Sequence, residues 1–344
     1  MANDGGPLSI SRERLQEALR RSMRNEATGE DLALIAAMDH GKIVERNRRE
    51  TQKLEDLVKL HADEPLDRER AWVGDALIFC PLPFKKPKDK QVIRRAKTGS
   101  GQELEVIYTA TGKASLPFAE DAFLLDLLVS QARKSGSPEV TFDSLRALID
   151  FMGVSDGGSD YKRLRQRIER IMGLHIRIER KDAVRVNVRV VDVENMEDIG
   201  SKKTRLLEAE HGQRRLLPYV FRFAPEFYED LMRHYTVIPL DFLKAFSGSP
   251  IEYSIARWLY RRVIHAESWS VIPWKAIHDE RCGDTEGKGN VRRTRAYARN
   301  VIRRLKVVWP GLESAVDDSK PEGLLIRRSV EPLIPNRLAL GKPS

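Results

Sequence analysis

The stretch NVRRTRAYARNVIRRLKVVWPG, Asn290 to Gly311, carries seven Arg or Lys residues between Asn290 and Lys306 and no Asp or Glu. Like charges at helical neighbour spacing repel, so a helix of this composition is less stable alone than one of mixed sign. The pattern asks for negative charge from outside the helix. At ~100° per residue, Arg292, Arg295, Arg299, Arg303 and Lys306 fall within about 80° of one another, and Arg293 is a further candidate contact. Thr294, Ala298, Val301, Leu305 and Val308 form the opposite stripe. One side is suited to packing and the other to meeting an anion.

Around this helix the sequence repeats an order of elements. Upstream, SPIEYSIARWLYRRVIHA reads as an amphipathic helix with Pro250 in its first turn. SVIPW is a short strand, KAIHDERCG a helix ending at Gly283, and DTEGKGN a turn. After the basic helix, GLESAVDDSKPEGLLIRRS reads as strand, polar loop, strand. An earlier unit runs in the same sequence. Leu116-Pro117-Phe118 precede a helix through Phe123, Leu124, Leu127, Leu128 and Ala132. The short strand EVTFD, the helix SLRALIDFMG and the glycine-rich turn SDGGSD then lead to the basic helix YKRLRQRIERIMG.

In that first basic helix Tyr161, Leu164, Ile168 and Ile171 make the packing stripe, while Lys162, Arg163, Gln166, Arg167 and Arg170 point outward beside one acid, Glu169. LHIRIERKDAVRVNVRVVDV then alternates as a hairpin whose loop carries Arg180 and Lys181. Helix, short strand, helix, turn, basic helix, hairpin is the order of a winged helix.

The predicted fold class is therefore α+β, mainly α, with two tandem winged-helix domains after an N-terminal helical extension. The expected divisions are 1–70 for the extension, 71–200 for the first domain with preceding strands, 201–219 for a polar linker containing KKTRLLEAEHGQRR, 220–335 for the second domain, and a tail, 336–344. In the extension, Leu15, Ala18, Leu19 and Met23 recur at helical spacing, and Thr28 is placed to cap a helix through Leu32, Ile35 and Met38. Between extension and first unit, KKPKDKQVIRRAK reads as a basic loop and ELEVIYTA as a strand.

The totals agree with an anionic partner. The 344 residues suggest about two domains. A net charge of +9 and a pI near 9.5 favour polyanions. No apolar run approaches the ~20 residues of a spanning helix, and MANDGGPLSIS lacks the order of a signal peptide. Two cysteines, Cys80 and Cys282, are too few for a disulfide framework. The expected setting is the cytoplasm, with no membrane partner and double-stranded DNA as the polyanion. Helices of this kind fit the major groove, where Arg bonds guanine and Gln bonds adenine.

Catalysis finds little footing. Gly283 to Gly289 is one spacer short of a phosphate-binding loop and lacks its Ser/Thr. The seven histidines are isolated; His278 and Cys282 lie four apart on a helix but want a third ligand. The expectation is a non-enzyme that needs no cofactor and no metal.

The chain resembles the plasmid-encoded RepA-type replication initiators. The likeness rests on Leu116-Pro117-Phe118, Phe151-Met152-Gly153, Gly157-Gly158 and Arg163-Leu164-Arg165-Gln166 in the first unit. It continues through Val237-Ile238-Pro239-Leu240, Ser249-Pro250, Trp258-Leu259-Tyr260, Ile272-Pro273-Trp274, Val308-Trp309-Pro310 and Gly323-Leu324-Leu325-Ile326. It spans roughly Trp72 to Pro335. It implies a protein that binds repeated sites in a plasmid origin as a monomer, recruits host replication initiation or helicase-loading proteins, and represses its own promoter as a homodimer. Ala119 departs from the pattern, standing where glycine is expected. The competing reading is a winged-helix transcriptional repressor with no part in replication.

Overall fold

The computed structural model describes residues 21, 28, 69–98, 101–152, 158–180, 186–194, 206–208, 214–216, 219–282, 291–309 and 311–329. The chain divides into two units, Met1–Asp56 and Leu57–Ser344, and all but two of the described residues belong to the second. The helices expected between Ser9 and Ala62, the residue Lys181, the loop from Asp284 to Gly289 and the tail 336–344 lie outside the described residues.

The second unit mixes helix with antiparallel strand. It opens with β1 (Arg70–Gly74), the short helix α1 (Asp75–Phe79), β2 (Gln91–Lys97) and β3 (Glu103–Ala110). Next comes α2 (Asp121–Ser135), on which Phe123, Leu124, Leu125, Leu127, Leu128, Val129 and Ala132 are all buried. The turn before it contains Ala119 at φ 51, the left-handed region where glycine is the easier residue. The glycine expected at this position therefore has a conformational basis. Beyond α2 lie β4 (Glu139–Phe142), α3 (Leu145–Met152), α4 (Gly158–Met172), β5 (Leu174–Arg180), β6 (Val186–Arg189) and β7 (Val191–Glu194).

The remaining elements are β8 (Leu206–Glu208), β9 (Arg214–Leu216), β10 (Tyr219–Phe223), α5 (Pro225–Arg233), β11 (Tyr235–Pro239), α6 (Leu240–Phe246) and α7 (Pro250–Ile264). They are followed by β12 (Ser270–Pro273), α8 (Trp274–Cys282), α9 (Val291–Val308), α10 (Leu312–Ala315), β13 (Val316–Asp317) and β14 (Gly323–Ile326).

In the C-terminal half, β12, β14 and β13 form their own sheet in that order, beside α7, α8 and α9. Gly323 lets β12 and β14 meet, because a Cβ there would lie 2.5 Å from the Ile272 carbonyl oxygen. The N-terminal half repeats the helix order but not the strand pairing. Its short strand β4 pairs with β10, which in turn pairs with β7, while β5 and β6 complete a different sheet ordered β2-β3-β5-β6. The apolar alternation of YVFRF explains the substitution: Tyr219, Phe221 and Phe223 are buried, and Phe221 meets Phe142 edge-on at 5.9 Å. The single residue Val190, between β6 and β7, carries the chain from one sheet to the other.

Three expectations are corrected. QVIRRAK is a strand rather than a loop, since Val92, Arg94 and Ala96 alternate inward and Arg94 donates to the Pro81 carbonyl at 3.3 Å. The segment taken as linker holds the paired strands β8 and β9. Helix α7 is not amphipathic in the surface sense, because every residue from Glu252 to Tyr260 is buried. Several of its polar side chains meet ionic partners. Tyr253 and Arg257 bond Asp126 of α2, Arg261 bonds Asp75 of α1 at 3.0 and 3.1 Å, and Glu252 accepts from Arg304 of α9 at 2.8 Å.

These contacts join the halves. One cluster of buried side chains runs from Ala71 to Ile326, and β1 pairs with β11 across the sequence midpoint. The expected division at 201–219 is also crossed, since β10 completes a sheet of the first half.

Candidate nucleic-acid interface

Four residues of the anticipated packing stripe of α9, Thr294, Ala298, Val301 and Leu305, are each no more than 2% exposed, and Ile302, which the stripe did not include, is buried with them. Side chains fix the helix as well as burial does. The Thr294 hydroxyl meets His278 Nδ1 at 2.8 Å, Asn300 donates to Glu252 at 2.7 Å, and Arg304 bonds both Glu252 and the Ala245 carbonyl. Arg304 lies on the buried side, so one of the seven cations serves the core. His278, considered as a ligand, thus has a hydroxyl partner in the interior.

On the outer side, Arg292, Arg293, Arg299 and Arg303 are exposed. Arg303 donates to its neighbour Asn300 at 2.7 Å. Two other ridge residues reach the hairpin that follows, and a third reaches α10. Arg295 stacks on Trp274, 5.4 Å from the ring centre, and donates to the Lys320 carbonyl at 3.3 Å. Arg299 contacts the Asp318 carboxylate at 3.2 Å and donates to the Asp318 carbonyl at 2.9 Å. Lys306 lies 3.6 Å from Glu313. Part of the negative charge that the bare sequence of α9 demands therefore comes from its own hairpin.

Helix α4 divides along its length. Leu164, Ile168 and Ile171 are buried as expected, and Lys162, Arg163 and Gln166 are exposed. Arg167 and Arg170, by contrast, turn toward the start of α2. Arg170 makes a two-pronged bond to Asp121 at 2.6 and 2.8 Å and lies over the Phe118 ring. Arg167 pairs with Glu120 and approaches Asp121 at 3.9 Å. Burial, then repulsion from Arg170, lowers the pKa of Arg167; burial raises that of Asp121 against the pull of Arg170. Arg180 likewise forks onto Asp230.

Energetic scale separates these groups. An exposed pair such as Arg299–Asp318 is worth about 0.2–1 kcal/mol and exchanges readily for another anion. Breaking a buried pair leaves an uncompensated charge and costs about 3–5 kcal/mol. Asp121 is 1% exposed, so Arg170 fastens α4 to α2, while the nearer partner of Arg167 is Glu120, which is half exposed. Arg180 is held in the same way as Arg170, to α5, through an Asp230 that is 8% exposed. Each of these three candidate contacts thus has a carboxylate partner within the chain.

The structure also adds a residue. Lys320, in the polar loop between β13 and β14, is exposed, and its carbonyl accepts bonds from both Arg295 and Trp274. The sequence signal for it was only a lysine in a loop of acids. Buried cations also qualify the net charge: Arg94, Arg257, Arg281 and Arg304 are each under 9% exposed and contribute little to a surface field.

Among the described residues no helix is long and apolar enough to cross a membrane. No family model and no curated protein matches the sequence. Solved structures similar to it include two crystal structures. One, of RctB domains 2–3 (RctB 155–483), has a TM-score of 0.42 and 13% identity over 68% of this chain and 83% of the other. The second, a selenomethionine derivative of the same two domains, gives a TM-score of 0.42 and 13% identity over 67% and 81%.

Proposed function

We propose that this chain is a replication initiator that binds double-stranded origin DNA through two winged-helix modules, α9 and the first half of α4 being the helices that enter the groove. The observation that carries this reading is α9, an 18-residue helix without an acid, fixed by a buried stripe and presenting Arg292, Arg293, Arg299 and Arg303 outward. Arg299 can leave Asp318 for a phosphate at small cost, since the exposed pair is worth about 0.2–1 kcal/mol. The order α7, β12, α8, α9, β13, β14 supports the winged-helix reading of the second module. The likeness to RepA-type initiators supports the role at an origin and the recruitment of host replication proteins.

Lys162, Arg163 and Gln166 supply the first module's contacts. The action is binding with deformation, several simultaneous contacts offsetting a bending cost on the order of a few kcal/mol. No bond is made or broken. The test is footprinting on the DNA that flanks the chain's own gene, followed by replication of a plasmid carrying the protected segment. Protection of repeated sites that are required for replication is the expected result. Protection confined to a promoter, with replication intact after deletion of the gene, replaces the initiator by a repressor; no protection at any salt removes the DNA reading.

A further inference from the structure

The segment after α9, from α10 into the hairpin, is acidic. Glu313, Asp317, Asp318 and Glu322 stand in ten residues with one lysine, and two of these carboxylates touch the ridge, Asp318 at Arg299 and Glu313 at Lys306. We infer that Asp318 is an autoinhibitory residue, an internal stand-in for phosphate that occupies Arg299 until duplex DNA displaces it. This rests on the proposed binding of DNA by α9 and adds to it a reason for placing acids on a DNA-facing surface.

The geometry suits a reversible stand-in. Both partners are partly open to water, with side-chain exposures of 45% for Arg299 and 30% for Asp318, so separating them leaves no buried charge. The Asp318 main-chain carbonyl holds the same guanidinium at 2.9 Å, which keeps Arg299 aligned along the hairpin when the carboxylate lets go. Arg295, stacked on Trp274 and bonded to the Lys320 carbonyl, fixes the loop independently, so the exchange need not unfold the hairpin.

The consequence is a lowered affinity. Any duplex offers phosphates, and its gain at Arg299 is reduced by the lost Asp318 contact and by repulsion from that carboxylate. Because the loss is common to every sequence, Asp318 sets the strength of binding and leaves the choice of site to the rest of α9.

The test measures affinity of the full chain for a 30-base-pair duplex of arbitrary sequence by fluorescence anisotropy across a salt series. The proteins are the unsubstituted chain, Asp318→Ala, Arg299→Ala and the double variant. Asp318→Ala is expected to bind about threefold more tightly, the worth of one exposed ion pair, with the salt slope unaltered because Arg299 neutralises the same phosphate in both proteins. In the Arg299→Ala background the same change should leave the affinity unaltered. An unaltered affinity for Asp318→Ala, while the unsubstituted chain binds, overturns this inference and leaves the DNA reading standing. A tightening that persists without Arg299 overturns it too, by showing a general effect of net charge. If the unsubstituted chain binds no duplex at all, the proposed function fails first and this inference with it.

Discussion

Arg257 of α7 and Asp126 of α2 form an ion pair in which each side chain is 1% exposed, and the Tyr253 hydroxyl donates to the same carboxylate oxygen at 2.6 Å. The pair joins the two halves of the second unit where no water screens it. Burial raises the pKa of Asp126 while Arg257 and the Tyr253 hydroxyl pull it back. Removing one partner orphans the other, so Asp126→Ala should lower stability by about 3–5 kcal/mol. Urea unfolding followed by circular dichroism checks this. A loss below about 1 kcal/mol means the pair is not holding the halves together.

How much of this was legible in the sequence depends on what each residue faces. The packing stripes of α4 and α9 were, because apolar spacing of 3.6 residues leaves one reading. The short strand β12 and the hairpin β13–β14 were legible from alternation and turn residues. Charged positions were the poor guide. Arg170 and Arg163 differ by two turns of one helix and look alike in sequence, yet one meets a buried carboxylate 49 residues away and the other is exposed. Helix α7 misled for the same reason, its charges being matched by partners far along the chain. β2 was hidden because its basic residues suggested a loop, and because Arg94 turns inward while Ile93 is exposed, which erases the apolar alternation of a strand.

The division of α4 gives a paired prediction. Arg170→Ala should destabilise the fold by about 3–5 kcal/mol by stranding Asp121 in the interior. Lys162→Ala with Arg163→Ala, both exposed, should leave stability within about 0.5 kcal/mol. The second variant, not the first, should flatten the salt dependence of DNA affinity in the folded protein, by about 0.9 per lost phosphate contact. Thermal melts and an anisotropy titration on the same preparations separate the two. A double variant with an unchanged salt slope removes α4 from the interface.

Cys80 offers a chemical probe of the core. It is buried, and burial pushes its thiol up to about 12, so the nucleophilic thiolate is almost absent at neutral pH. In a Cys282→Ser background, Ellman's reagent should release no thiolate signal from the folded protein between pH 7 and 9. It should release one equivalent after unfolding in urea. Rapid labelling of the native protein places Cys80 at the surface and contradicts the packing of α1 against β3.

Ala119 tests the turn before α2, the point at which Arg167 and Arg170 find their carboxylates. Its φ of 51 is a conformation that costs an L-residue about 1–2 kcal/mol. Glycine adopts it without that strain, though its freer unfolded chain returns about 0.4–1 kcal/mol of the gain. Ala119→Gly should therefore raise stability by about 0.5 kcal/mol, whereas glycine at an ordinary helical position lowers it by a similar amount. The comparison variant is Ala147→Gly, within α3. Denaturant midpoints moving in opposite directions for the two changes support the left-handed turn. A decrease for both shows that Ala119 sits in ordinary backbone, and the placement of Glu120 and Asp121 against α4 would then need another cause.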